Sequence, residues 1–332
     1  MSEPVISVRN LCVEFVTRRG ILRAIDDVSF DIAKGEVLGV VGESGAGKSV
    51  TGSAIIGLIE PPGRIAGGEI LLHGRRIDNL PQEEMRRIRG RKVAMIFQDP
   101  LTSLNPLYRV GEQLIETILT HTDLSPAAAR ERAIALLAEV GIPAPDKRID
   151  GYPHEFSGGM RQRVVIALAL SCEPDFIVAD EPTTALDVSV QAQIIALIKK
   201  LCRERGTAVM LVTHDMGVIA ETADRVAVMY AGRVAEIGPV RDVVRHPLHP
   251  YARGLMGAIP TLETDAERLT QIPGAMPRLS NIPRGCAFNP RCDRVFDRCH
   301  LERPDPAEPV DEKVEPGHRV ACHLYAGGGG MR

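Results

Sequence analysis

The stretch Gly42-Glu43-Ser44-Gly45-Ala46-Gly47-Lys48-Ser49 narrows what this chain can become more than any other. It fits G-x-x-x-x-G-K-[ST], and each position has a physical reason. The glycines let backbone amides turn inward around phosphate oxygens. A helix N-terminus adds positive potential, Lys48 reaches the β- and γ-phosphates of a nucleotide, and Ser49 ligates Mg²⁺. The surroundings agree with this reading. EVLGVV (36–41) is a short, nearly all-apolar run, as expected of a strand buried in a parallel sheet. From Val50 onward, Val50, Ala54, Ile55, Leu58 and Ile59 share one face of a helix. The pattern predicts an α/β fold with a phosphate-binding loop between a strand and a helix.

Other segments extend this frame. VISVRNLCVEF (5–15) and ILRAIDDVSFDI (21–32) alternate as antiparallel strands around an RRG turn. Residues 108–141 are helical in pattern, with Ser125-Pro126 as N-cap and first helical residue. A further helix opens at Ser157-Gly158-Gly159. DFIVADEP (175–182) is a buried strand that ends in acids. Gln191 to Arg205 is helix, AVMLVTH (208–214) strand, Met216 to Thr222 helix and RVAVMY (225–230) strand. Beyond about residue 246 prolines become frequent, and GGGG before Met331 is expected to be a disordered tail.

Asp180 and Glu181 close an apolar strand. Next to a phosphate loop, the first carboxylate can hold Mg²⁺ and the second can activate an attacking water. With Phe156-Ser157-Gly158-Gly159-Met160, the chain resembles the ATP-binding cassette (ABC) ATPases, whose signature usually reads LSGGQ. The other landmarks of that family follow in order: Gln98 in IFQDP (Q-loop), Ala185-Leu186-Asp187 (D-loop) and His214 in VTHD (H-switch).

The resemblance covers roughly residues 5 to 250. It implies a P-loop NTPase with a RecA-like core, an antiparallel β subdomain and an α-helical subdomain at about 100–160. It also implies ATP and Mg²⁺ as cofactors. Phe15 would stack on adenine. Gly42, Ser44, Gly45, Gly47, Lys48, Ser49 and Val50 would hold the phosphates, with Ser49, Gln98 and Asp180 at Mg²⁺. Glu181 and His214, with Lys48, would carry the catalysis. Ser157, Gly158, Gly159 and Met160 would cap ATP held by a second subunit, and Asp187 would lie at that interface. Two residues depart from the usual signature. Phe156 for Leu is conservative, and Met160 for Gln removes an amide that could hydrogen-bond.

Wording outside these motifs narrows the resemblance. QDPLTSLNPLYRVGEQLIE (98–116), FSGGMRQRVVIALAL (156–170), HPLHPYARGLMGAIP (246–260) and GCAFNPRC (285–292) resemble the oligopeptide/dipeptide/nickel importers, and the signature resembles their D-type ATPase subunit. This implies a nucleotide-binding domain over 1–250 and an extension over 251–332. The implied partners are a second, homologous ATPase (a heterodimer), two membrane permeases and an extracytoplasmic solute-binding protein. The segment after Gln98 would contact a permease. The implied solute is a di- or oligopeptide, with nickel chelates or other small solutes as the alternative.

Composition excludes other classes. The net charge of −3 offers no global drive towards nucleic acid, and no nucleic-acid partner is expected. Long coiled coils and strongly basic arms, common in the soluble ABC ATPases of DNA repair or translation, are absent from the sequence. Intact Lys48, Asp180, Glu181 and His214 argue against a non-hydrolysing cassette. No apolar run approaches the ~18 residues of a membrane span, and the N-terminus does not read as a signal peptide. The expected location is the cytoplasmic face of the bacterial cytoplasmic membrane, held there peripherally by partners.

Four of the seven cysteines, Cys286, Cys292, Cys299 and Cys322, lie in the proline-rich extension. Such a segment, poor in large apolar residues, needs a staple, and disulfides are disfavoured in the cytoplasm. Four thiolates can hold zinc or an iron–sulfur cluster. Close C-x₂₋₄-C pairs, usual for zinc, are absent, and the importer resemblance implies [4Fe–4S]. Zinc, or a metal-free appendage, remains the alternative. Arg284, Arg291, Arg294 and Arg298 would offset the negative charge. His300, His318 and His323 could substitute as ligands, but are expected at the surface. Cys12, Cys172 and Cys202 are expected to act as small buried hydrophobes.

Overall fold

Alternation in the N-terminal segments becomes two long strands, β1 (Ile6–Thr17) and β2 (Gly20–Ile32). The remaining strands are β3 (Val37–Val41), β4 (Gly63–Leu72), β5 (Arg75–Arg76), β6 (Val93–Ile96), β7 (Phe176–Asp180), β8 (Ala208–Val212), β9 (Arg225–Tyr230), β10 (Arg233–Pro239) and β11 (Arg319–Val320). The structure, a computed structural model, describes residues 3–183, 186–257, 272–309 and 314–325. The glycine-rich tail and Ala185 of the D-loop lie outside the described residues. The chain forms two compact units, one of Met1–Ser7, Asp31–Val37 and Leu71–Leu211, the other of Val8–Phe30, Leu38–Ile70 and Val212–Arg332.

In the first unit β8, β7 and β6 are neighbours in that order. β6 and β7 run parallel in register from Val93↔Phe176 to Ile96↔Ala179. Every residue of β7 and β8 is buried, which explains their unbroken apolar sequences. The helices Val110–His121, Pro126–Glu139 and Gly158–Leu170 pack on one another. Ser125 and Ser157 act as N-caps. Ser125 Oγ accepts from the Ala128 amide at 3.3 Å, and Ser157 Oγ from the Met160 amide at 3.3 Å.

In the second unit β2, β1 and β4 are neighbours in one sheet, and β11, β10, β9 and β3 are neighbours in another. β3 and β9 are parallel from Leu38↔Arg225 to Val41↔Val228. β10 returns antiparallel to β9 with a bulge between Val234 and Glu236. β11, from the extension, pairs with β10 through Glu236↔Val320 and Ile237↔Arg319. The loop helix, Lys48–Ile55, is shorter than its apolar pattern predicts. Gly57 takes φ +69°, and Leu58 and Ile59 fall beyond the helix, with Leu58 exposed. The buried face is made by Thr51, Gly52, Ala54 and Ile55.

Candidate functional site

In the second unit the phosphate loop joins fully buried β3 to the Lys48–Ile55 helix. Gly42 takes φ +150°, and a Cβ there would lie 2.3 Å from the Met229 carbonyl oxygen, so no other residue fits. Lys48 is buried, and its Nζ donates to the Gly42 carbonyl at 2.8 Å and the Glu43 carbonyl at 3.1 Å. The ammonium thus sits inside its own loop. Ser44, Gly45 and Ser49 are exposed, and Val50 is half-buried. Phe15, half-buried on β1, packs on Gly63, where a Cβ would meet its ring at 2.9 Å. His214 is exposed on the turn after β8. Its neighbour Asp215 caps the helix Met216–Thr222, its Oδ1 accepting from the Gly217 amide at 2.8 Å.

In the first unit Asp180 ends β7 and is buried. Glu181 follows in the left-handed region, at φ +44°, an uncommon state for a residue with a side chain. Its carboxylate accepts from Gln98 Nε2 at 3.0 Å, so the two residues that sequence placed 83 positions apart meet. Gln98 follows β6. Phe97 just before it and Leu101, Leu107 and Tyr108 beyond it are all exposed, an unusual concentration of large apolar side chains.

The signature residues open the Gly158–Leu170 helix. Ser157 is exposed. Its hydroxyl accepts the Met160 amide yet keeps its own O–H to donate outward. Phe156 is buried beneath the Arg148 guanidinium, so its substitution for Leu is a packing change. A Cβ on Gly159 would lie 2.8 Å from Val190 Cγ1, so this helix start and the helix Val188–Arg205 meet closely. Asp187 is the exposed N-cap residue of that second helix. Gln191 Nε2 ties the intervening loop to the Thr183 and Leu186 carbonyls at 3.1 and 2.9 Å.

The extension brings Cys286, Cys292, Cys299 and Cys322 to one small cavity, lined also by Arg294 and His323. All four are free thiols. Burial pushes Cys286 up to about 11 and Cys322 up to about 12, and the neighbouring cysteines add to both shifts. Among the described residues no group of three His, Cys, Asp or Glu side chains has the spacing of a formed metal site. Four unbridged thiols thus line one cavity without forming a metal site.

Two expectations about this region need correction. His318 is fully buried, its Nε2 bonded to Glu236 Oε1 at 2.7 Å, and His323 is buried against the Glu302 carbonyl at 2.9 Å. Of the three histidines only His300 is exposed. Nor do the arginines all serve the thiols. Arg298 pairs with Glu302 at 2.8 Å, and Arg291 turns to Glu43. Of the remaining cysteines Cys202 is buried, while Cys12 and Cys172 are half-buried.

Residues 25–184 match the family described as "ABC transporter", and residues 235–299 match "Oligopeptide/dipeptide transporter, C-terminal region". The dipeptide transport ATP-binding protein DppD of Bacillus subtilis is 49% identical, covering 97% of this chain and 95% of its own length. The oligopeptide transport ATP-binding protein OppD of Escherichia coli is 48% identical, covering 97% and 93%. The chain belongs to the ABC transporter family. Among solved structures, a dimeric post-hydrolysis state of the ATP-binding cassette MJ0796 bound to ADP and Pi superposes with a TM-score of 0.64 at 29% identity. It covers 71% of this chain and 99% of that one.

This ABC protein is therefore an ATPase of the peptide-transport group. Among the described residues no helix is long and apolar enough to cross a membrane. Sequence reasoning missed one group near the phosphate loop. Tyr251 and Arg291 both bond Glu43, which lies 208 and 248 positions away. Local sequence marks Arg291 only as one of four arginines among the cysteines, and no local pattern points to so distant a partner.

Proposed function

We propose that this chain is an ATPase subunit that drives uptake of di- or oligopeptides across the bacterial cytoplasmic membrane, working peripherally on its cytoplasmic face. The observation that carries the solute class is the match of residues 235–299 to the oligopeptide/dipeptide transporter C-terminal region, within relatives aligned over nearly their whole length. Residues 1–250 would form the nucleotide-binding domain, with its helical part at about 100–160, and 251–332 the extension.

Residue roles follow from local chemistry. Incoming phosphate oxygens would replace the Gly42 and Glu43 carbonyls at Lys48 Nζ. Ser49, Gln98 and Asp180 would surround Mg²⁺, Glu181 would take the proton of the attacking water, and His214 would hold the γ-phosphate. The adenine would stack on Phe15. The exposed start of the signature helix supports a role towards ATP on a second ATPase subunit, as does the dimeric state of the cassette MJ0796. That second subunit would be a homologous but different chain. The exposed apolar side chains after Gln98 suit a permease helix, and a solute-binding protein would deliver peptide outside.

The four converging cysteines would hold a [4Fe–4S] cluster, with zinc as the alternative. Such a group supplies a covalent staple for an appendage with few large apolar residues.

Deleting this chain from its host and measuring uptake of labelled dipeptide, hexapeptide and nickel tests the reading. Loss of peptide uptake, restored by the wild-type chain but not by Lys48→Ala, is expected. Unchanged peptide uptake with lost nickel uptake would replace peptide by nickel chelate.

A further inference from the structure

Glu43 places a carboxylate on a loop whose work is to hold a polyanion. The structure shows how that charge is handled. Arg291 meets Glu43 as a fork, Nη1 to Oε2 and Nη2 to Oε1 both at 3.0 Å, with the guanidinium side chain only 6% exposed. The Glu43 amide donates to the Tyr251 hydroxyl at 2.8 Å. The Glu43 carbonyl accepts from Lys48 Nζ at 3.1 Å. Both the carboxylate and the amide of Glu43 are thus held by residues of the C-terminal region, while its carbonyl is held by Lys48 of the loop itself.

Those partners are themselves held. Arg291 Nε donates to the Pro273 carbonyl at 2.8 Å, and its guanidinium lies 5.8 Å from the centre of the Tyr230 ring. Tyr251 is fully buried, its ring 4.6 Å from that of Tyr230 and 5.5 Å from that of Phe288. Met276 of the extension also lies near the loop, its Sδ 3.9 Å from where a Cβ on Gly45 would stand.

We propose that the C-terminal extension is a working part of the nucleotide site, in which Arg291 and Tyr251 position the phosphate loop through Glu43 and Arg291 cancels the Glu43 charge beside the bound polyphosphate. The Arg291 side chain is almost covered and committed to a carboxylate, so it is a positioning residue and not a phosphate ligand. Without it, a half-exposed carboxylate is left unneutralised on the phosphate loop, where it repels nucleotide and no longer holds the loop's first turn. The proposal rests on this loop holding nucleotide phosphates.

The test uses the purified full chain and a fluorescent ATP analogue with Mg²⁺, titrated at low salt. Wild-type binding checks the phosphate-loop reading by itself, and its absence would sink that reading before the present one is reached. Given wild-type binding, Arg291→Ala is expected to raise Kd about tenfold, and Arg291→Lys, which keeps the charge without the fork, by less. Tyr251→Phe should raise Kd about threefold by removing one hydrogen bond. The deciding arm is Glu43→Gln added to Arg291→Ala. Recovery of most of the lost affinity supports charge cancellation, which a merely structural role would not produce. An unchanged Kd in Arg291→Ala, or a double variant no better than the single one, overturns the proposal. If Arg291→Ala does not fold, wild-type affinity in both Arg291→Lys and Tyr251→Phe overturns it.

Discussion

Glu181 follows a fully buried strand and turns into the left-handed region at φ +44°, where its carboxylate meets the Gln98 amide. Strained backbone of this kind persists only where surrounding structure holds it. Glu181→Gln keeps the shape and removes the carboxylate proposed as the base. We expect it to bind Mg-ATP as tightly as wild type while turnover, assayed with the partner subunits, falls by at least about a hundredfold. Wild-type turnover would show that another group takes the proton. Gly42→Ala is a steric experiment, because its Cβ would collide with the Met229 carbonyl. It should lower the midpoint of thermal unfolding and abolish nucleotide binding together, read by calorimetry and by titration.

Elements were legible wherever a local rule sufficed. Ser125-Pro126 marks a helix start because the hydroxyl and the proline each satisfy a helix-end requirement, and the helix begins there. Ser125→Ala should cost about 1 kcal/mol of stability, measurable by denaturant unfolding, without changing ATP affinity. β6 and β11 escaped notice because four and two residues carry too little periodicity to read. β4 escaped because it contains Gly63, Gly67 and Gly68. The signature helix meets Val190 so closely at Gly159 that Gly159→Val should force the two helices apart. We expect that variant to bind nucleotide normally yet lose ATP-driven pairing with the second ATPase chain, followed by size-exclusion chromatography of the two mixed. Dimerisation at wild-type nucleotide concentration would show that this contact tolerates a larger side chain.

For the whole molecule, the thiol cavity and the phosphate loop share a short chemical connection, since Cys292 directly follows Arg291. Cys292→Ser should lower the metal and sulfide content of anaerobically purified protein and weaken nucleotide binding, less than Arg291→Ala does. Iron and sulfide near four per chain identify a cluster, stoichiometric zinc identifies the alternative, and metal-free wild-type protein refutes both. Lost metal with unchanged Kd would confine the metal to bracing the extension.

Local sequence already specifies the phosphate loop, the acidic strand end, the signature helix and the family. Each is a run of adjacent residues whose types follow from local chemistry: glycine for close approach, serine for a cap, apolar runs for buried strands. Tertiary structure decided what lies far apart in the chain. It joined Gln98 to Glu181, drew four spaced cysteines to one cavity, buried His318 on Glu236, and turned Arg291 from the thiols to Glu43. An arginine's reach and charge suit many carboxylates equally, and only the packing of the extension against the phosphate loop selects one.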